Sequence, residues 1–257
     1  MLQVDLNSDL GESFGVYTLG NDEAVLESVT SANVAAGFHA GDPMVLLRTV
    51  RLAKKAGVAV GAHPGHADLV GFGRRTIACT PDEVYAATLY QIGAVQAACR
   101  AEGLELQHVK AHGALYNQAA KDLDLAKAIA QATKDAGENL ILMGLANSLF
   151  EQAAAEVGVP YAAEAFADRA YEADGSLVSR KKEGAVLHDA ELAASRVLRM
   201  LKEGVVEAID GSLVSLKPQT ICLHGDTAEA VEMARKLRRK LEDEGVAIRP
   251  LKEVLKG

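Results

Sequence analysis

Lys110 and His112 lie two residues apart in the stretch HVKAHGALYN, residues 108–117. The stretch starts as an apolar strand and ends as a helix. In a strand, residues two apart share a face, so both ionisable groups project the same way. Other strand ends do the same. Keeping one parity gives Asp5, Asn7 and Asp9; Asn33, Ala35, Gly37 and His39; Ala59, Gly61 and His63. Further along come Glu164, Phe166 and Asp168, then Cys222, His224 and Asp226. Taken singly, a strand-end histidine reads as a hydrogen-bonded structural residue, and Asp9 or Asp42 as a cap or turn former. Taken together they predict a site, because each buried ionisable group costs free energy unless it pairs or binds something.

Two chemistries fit these residue types. Carboxylates beside His and Lys form a general acid–base set whose pKa values are driven apart by mutual charge. In that set Lys110 neutralises a carboxylate or a developing oxyanion. Alternatively, Asp9, His39 and His63 form an Asp/His/His metal site for assisted hydrolysis. There is no HExxH motif and no GxxxxGK[ST] phosphate loop. GFGRR (71–75), with Arg180 and Lys181, offers anion contacts.

These groups need strands to carry them and helices to fix the strands. Glycines punctuate KKAGVAVGAH, AEGLELQHVKAH, KDAGENLILMG and AEVGVPYAAEAFAD, as left-handed caps between a helix and a buried strand. With LQVDLNSD, SANVAAGFH and TICLHGD, about seven such strands are expected. Asp42-Pro43 and Thr80-Pro81-Asp82-Glu83 read as helix starts. Asp189 caps another helix, and Asp226 or Thr227 a last one. Strand–helix repetition predicts a parallel sheet, and about seven repeats in 257 residues favour a single β/α-barrel domain over residues 1–257. An open doubly wound sheet is the alternative. Residues 205–216, with an Asp-Gly pair between alternating runs, read as a β-hairpin insertion. The polar stretch 169–189 reads as a long binding loop.

Composition narrows the classes. Hydrophobic residues make up 49% and aromatics 4%, with no Trp, which suits close-packed helix-on-sheet layers. The formal net charge of −8 argues against a general nucleic-acid footprint. Three cysteines without a CxxC argue against a disulfide framework. No apolar run reaches the roughly 18 residues of a membrane span, and MLQVDLNSDLGE lacks the pattern of a signal peptide. The expectation is a cytoplasmic protein.

Six segments together resemble the LamB/YcsF family, described as the A component of 5-oxoprolinase: DLNSDLGESFG (5–15), SANVAAGFHAGDP (31–43), GAHPGHADLVGFGRR (61–75), VKAHGALYN (109–117), EAFADRAYEADGSLVSR (164–180) and CLHGD (222–226). The resemblance implies a distorted, deacetylase-like (β/α) barrel. It also implies a hydrolase that opens the 5-oxoproline lactam to L-glutamate with ATP, expected with Mg2+, in company with subunits B and C. On that footing Asp9, then Glu12, is the expected base. His39 and His112 handle protons or the oxyanion. Lys110 and Arg75 hold the substrate carboxylate or phosphate, and Asn7 and His63 position the substrate or a metal. Asp168 and Arg169 brace the mouth, and Arg180 and His224 complete the binding set. Three positions depart from the family pattern. Ala36 stands where a cysteine is usual, which excludes a cysteine nucleophile there; His66 takes a usually aromatic position, and Ala111 that of a proline. Two rival readings stand beside this one: a stand-alone metal-dependent amide or carbohydrate deacetylase, and a non-catalytic component that binds a small acid. If Lys110 is an electrostatic anchor, Lys110→Met loses activity with the fold intact.

Overall fold

The computed structural model describes residues 2–223 and 227–256. In chain order the first half runs β1 (Gln3–Leu10), α1 (Asp22–Leu26), β2 (Ser31–Ala35), α2 (Pro43–Ala56), β3 (Ala59–His63), α3 (Pro81–Ala101), β4 (Leu106–Lys110), α4 (Gly113–Ala119) and α5 (Leu123–Ala136). The second half runs β5 (Ile141–Leu145), α6 (Leu149–Val157), β6 (Tyr161–Phe166), α7 (Ala190–Glu203), β7 (Val205–Glu207), β8 (Leu213–Ser215), β9 (Thr220–Cys222), α8 (Ala228–Asp243), β10 (Ala247–Ile248) and α9 (Leu251–Val254).

Seven parallel strands close a barrel in the order β1, β2, β3, β4, β5, β6, β9, and β9 pairs back onto β1. This settles the choice between a barrel and an open sheet. Short β10 adds to β1 outside the ring at Gln3 and Val4. The expected hairpin is present as antiparallel β7–β8, with Val206 opposite Val214. Among the described residues no helix is long and apolar enough to cross a membrane.

The punctuation acts as its chemistry requires. Asp42 accepts from the amides of Met44 and Val45 at the start of α2, and Pro43 fills the first turn. Thr80 and Glu83 form a reciprocal capping box on α3. Thr227 caps α8, whereas Asp226, the other expected cap, and His224 lie outside the described residues. Gly57, Gly158 and Gly204 end their helices in the left-handed conformation. Gly137 does not: its φ of 170° is extended backbone, and α5 closes there without a left-handed residue.

Apolar side chains fill the layer between helices and strands, including Val34, Val50, Ile92, Ile129, Leu142 and Ile221. The inside of the barrel is different. Cross-strand register places Asp9 beside Asn33, Asn33 beside Gly61, and Gly61 beside His108. A second row sets Asp5 and Glu164 on either side of Thr220. The interior is thus a stack of polar side chains that must satisfy one another.

Gly61 is what lets an imidazole into that stack. A Cβ there would collide with the His108 ring. Gly61→Ala is expected to destabilise the barrel by about 1–3 kcal/mol through overpacking. Gly93→Ala, on the exposed face of α3 with nothing near the added Cβ, is expected to stabilise by roughly 0.5–1 kcal/mol. Urea unfolding of both variants checks the contrast.

Candidate active site

Lys110, the last residue of β4, points into the barrel and is buried. Its Nζ lies 2.7 Å from Glu164 Oε1, 3.2 Å from Asp9 Oδ1, 3.2 Å from Asn7 Oδ1 and 3.2 Å from Cys222 Sγ. Burial works against the ammonium, but Asp9 and Glu164 outweigh it and hold the pKa well above the usual lysine value. Tyr116 donates to the other oxygen of Glu164 at 2.6 Å. Asp9 also accepts from Asn33 Nδ2 at 2.9 Å. Burial alone would raise the Asp9 carboxyl; His63 and Lys110 outweigh it and hold the group well below the usual carboxylate range.

Beneath this pair the polar stack runs to the base of the barrel. His108 Nε2 donates to Asn33 Oδ1 at 2.7 Å, and Asn33 Nδ2 donates to Asn7 Oδ1 at 2.8 Å. Asn7 Nδ2 donates to Thr220 Oγ1 at 2.8 Å. Thr220, Ser31 and Thr30 all donate hydroxyl protons to Asp5, at 2.6, 2.7 and 2.8 Å. Burial still dominates and pushes Asp5 up to about 6. Burial likewise pushes His108 down to about 3, so its ring is neutral.

A second group sits at the mouth beside Asp9. Glu12, His39, His63 and His112 each offer one donor atom, all within 4.8 Å of one another. His112 Nδ1 is 3.0 Å from His63 Nε2. The His39 and His112 rings stack with centroids 3.8 Å apart. Glycine makes the room: a Cβ on Gly65 would meet His39 Nδ1 at 2.6 Å, and one on Gly73 would meet His39 Cβ at 2.7 Å. Burial pushes His112 down to about 3 and His39 well below the usual histidine value, so both rings are neutral.

Both groups open into one cavity of about 1040 Å³, lined by Asp9, Glu12, His63, Lys110, Arg169 and Arg180 among others. Loop residues 176–181 form one wall. Arg169, expected at the mouth, is buried there and braces that loop, donating to Val178 O at 2.6 Å and Ala185 O at 3.4 Å. Burial lowers its pKa to about 10. Asp168 is buried beside it and accepts from the Leu187 amide through its carbonyl at 2.7 Å. Asn7 lies below the cavity floor, fully buried.

Arg75 is placed elsewhere. It is bound to Asp68, with Nε at 3.0 Å from Oδ1, and faces a separate shallow depression. Its neighbour Arg74 lines the main cavity instead. The expected metal set of Asp9, His39 and His63 also differs from the geometry. Asp9 Oδ2 comes within 3.3 Å of His63 Nε2, but the donors that converge with His39 and His63 are Glu12 and His112. Glu164, which strand parity places on the inner face, joins the site as the nearest partner of Lys110. Tyr116 carries no pattern distinct from a core residue, whereas His108 shares the parity of Lys110 and His112 and sits deeper on the same inner face.

A model of the LamB/YcsF family matches residues 4–256. The chain is 55% identical over 255 residues to the A component of 5-oxoprolinase from Thermococcus onnurineus, covering 99% of this chain and 100% of that protein. It is 54% identical over 254 residues to the A component of 5-oxoprolinase from Clostridium beijerinckii, with 99% and 100% covered. The crystal structure of the lactam utilization protein from Thermus thermophilus superposes with a TM-score of 0.92 at 49% identity, covering 97% of this chain and 100% of that one.

The geometry revises the expected behaviour of Lys110→Met. Removing the ammonium leaves Glu164 buried without its cation, which is expected to cost about 3–5 kcal/mol. Lys110→Met/Glu164→Gln should recover most of that loss in urea unfolding, while activity stays lost. Asp5 makes a pH signature. Its folded pKa near 6 exceeds the unfolded 3.8, so the native state binds more protons between those values. Stability from this group is therefore full below about pH 4 and falls, by about 3 kcal/mol in total, as pH rises through 6. The wild-type minus Asp5→Asn difference in unfolding free energy should show that slope.

Proposed function

The chain belongs to the LamB/YcsF family, and from that premise we propose that it is the lactam-site component of an ATP-dependent 5-oxoprolinase that works with subunits B and C. Close relatives at this identity and coverage are named as the A component of 5-oxoprolinase. The observation that carries the reading is the buried Lys110 ammonium on the floor of the mouth cavity, held by Asp9 and Glu164.

A five-membered lactam is a stable amide, so its carbonyl needs activation before water attacks. ATP, with Mg2+, supplies it by phosphorylating the amide oxygen and releasing ADP. Water then adds to the activated carbon, the ring C–N bond breaks as the nitrogen takes a proton, and a second water hydrolyses the resulting acyl phosphate to phosphate and the new carboxylate. Asp9 takes the proton of the attacking water. Its depressed pKa makes it a weak base but keeps it ionised across the working range. An activated electrophile needs no stronger one. Lys110 stabilises the negative charge on the oxygens at the reacting carbon. Neutral His112 lines the same space and relays the proton to the ring nitrogen, with the His39 ring stacked against it. Arg180 and Arg74 hold the substrate carboxylate from the cavity wall.

The deciding assay is ADP and glutamate release from ATP and 5-oxoproline, with this chain alone and with subunits B and C. Coupled release only in the mixture is expected. Asp9→Asn in that mixture should lower kcat by about 10²–10⁴-fold with KM little changed. Absence of coupled release from well-folded proteins, or glutamate formed without ATP, would reject the reading.

A further inference from the structure

The contacts of the mouth histidines fix which of their nitrogens carry protons. His63 Nδ1 lies 2.7 Å from the carbonyl oxygen of Lys110, and His112 Nε2 lies 2.9 Å from that of Phe72. A carbonyl can only accept, so each of these nitrogens is the N–H donor. With one proton on each ring, His63 Nε2 and His112 Nδ1 are then both lone pairs, and they face each other at 3.0 Å. Asp9 Oδ2, another acceptor, stands 3.3 Å from the same His63 nitrogen. Glu12 Oε1 is 3.8 Å from His112 Nδ1 and 3.6 Å from His39 Nε2. His39 is 1% exposed, and among the described residues neither of its ring nitrogens has a hydrogen-bond partner.

Acceptors converging in a buried space need a cation between them. A single extra proton, on His63 Nε2, serves one or two of them and leaves His39 unserved. A metal ion serves several at once. The spacing suits it: tetrahedral ligands at zinc–nitrogen distances are about 3.4 Å apart, against the 3.0, 3.6 and 3.8 Å found here. The backbone carbonyls behind His63 and His112 are the partners that orient metal-binding imidazoles.

We propose that His63 Nε2, His112 Nδ1 and Glu12 form a binding site for one divalent transition-metal ion of the zinc class. The nitrogen-rich donor set favours such an ion over Mg2+ or Ca2+. His39 is the fourth member on a condition. Its ring is parallel to that of His112, at 4°, so an ion in the plane of one lies outside the other. His39 joins the ion by turning about its Cβ–Cγ bond, which breaks the stack. The ion would sit beside Asp9 at the cavity mouth, within reach of a bound carbonyl or phosphoryl oxygen. Its binding needs neither lactam, ATP nor partner, so this proposal and the proposed reaction stand or fall separately.

The experiment is equilibrium dialysis of the full chain, stripped of metal, against Zn2+ and Co2+, followed by elemental analysis. One ion per chain is expected, with visible Co2+ absorption typical of low-coordinate nitrogen ligation. His63→Gln and His112→Gln should each weaken binding by at least about 100-fold. His66→Gln, at a histidine outside the cluster, should leave it unchanged. Circular dichroism confirms that the variants fold. Nitrogen-15 NMR of the histidine rings supplies a reading without variants: Zn2+ should shift His63 Nε2 and His112 Nδ1. A folded chain that takes up no stoichiometric metal, or binding that survives both variants, would overturn the site. So would rings showing His63 doubly protonated and unmoved by Zn2+, since the shared cation would then be a proton.

Discussion

A lysine ammonium inside a β-barrel imposes conditions on everything near it. Lys110 is 2% exposed, so its charge is stable only because Glu164 and Asp9 lie against it. Two carboxylates on one lysine leave excess negative charge inside the ring. Tyr116 meets part of it by donating to Glu164, and Asn33 another part by donating to Asp9. The asparagines then need partners of their own, which brings in His108, Asn7 and Thr220. The chain of donors ends at Asp5, where three hydroxyls meet one carboxylate and burial still favours its neutral form. The polar interior follows from one buried cation in a space where each hydrogen bond must be made.

The same constraint divides the mouth into two halves of different character. On one side Lys110, Asp9 and Glu164 are tightly paired. On the other, three imidazoles and Glu12 gather with their donor atoms within 4.8 Å of one another. Asp9 touches both, through Lys110 and through His63. A reaction that needs a charge anchor and a proton path finds them side by side in one cavity. The loop that carries Arg169 closes the third side. Arg169 is held by backbone carbonyls, so it shapes that wall before any substrate arrives.

Backbone geometry around the histidines shows how closely the space is shaped. Gly61, Gly65 and Gly73 each stand where a Cβ would run into an imidazole. Phe72 takes a positive φ of 54°, uncommon for a bulky residue, and its carbonyl receives the His112 proton. The loop conformation is in turn held by Asp68, which binds the Gly71 amide and Arg75. Arg75 therefore contributes to the site at one remove: it fixes the loop that aims His112.

The barrel, its hairpin and the polar face were legible in the sequence because they depend on local rules. Period-two alternation assigns a face, and caps assign helix ends, whatever the rest of the chain does. Lys110, His112, His63 and Asp9 could be picked out because strand parity alone points them inward. Their partnerships could not, since register between strands distant in sequence is set by packing of the whole ring. That is why parity could place Glu164 and His108 on the inner face without assigning their partners, and why Arg75 rather than Arg74 looked like the anion contact. Which donors gather around His39 and His63 was likewise undecided, because Glu12 and His112 follow different strands, β1 and β4, and His112 is aimed by the Phe72 carbonyl of a third segment, which Asp68 holds. Sequence established which residues could face the interior; only barrel closure decided which of them meet, because pairing a buried charge is a property of three-dimensional neighbours rather than of spacing along the chain.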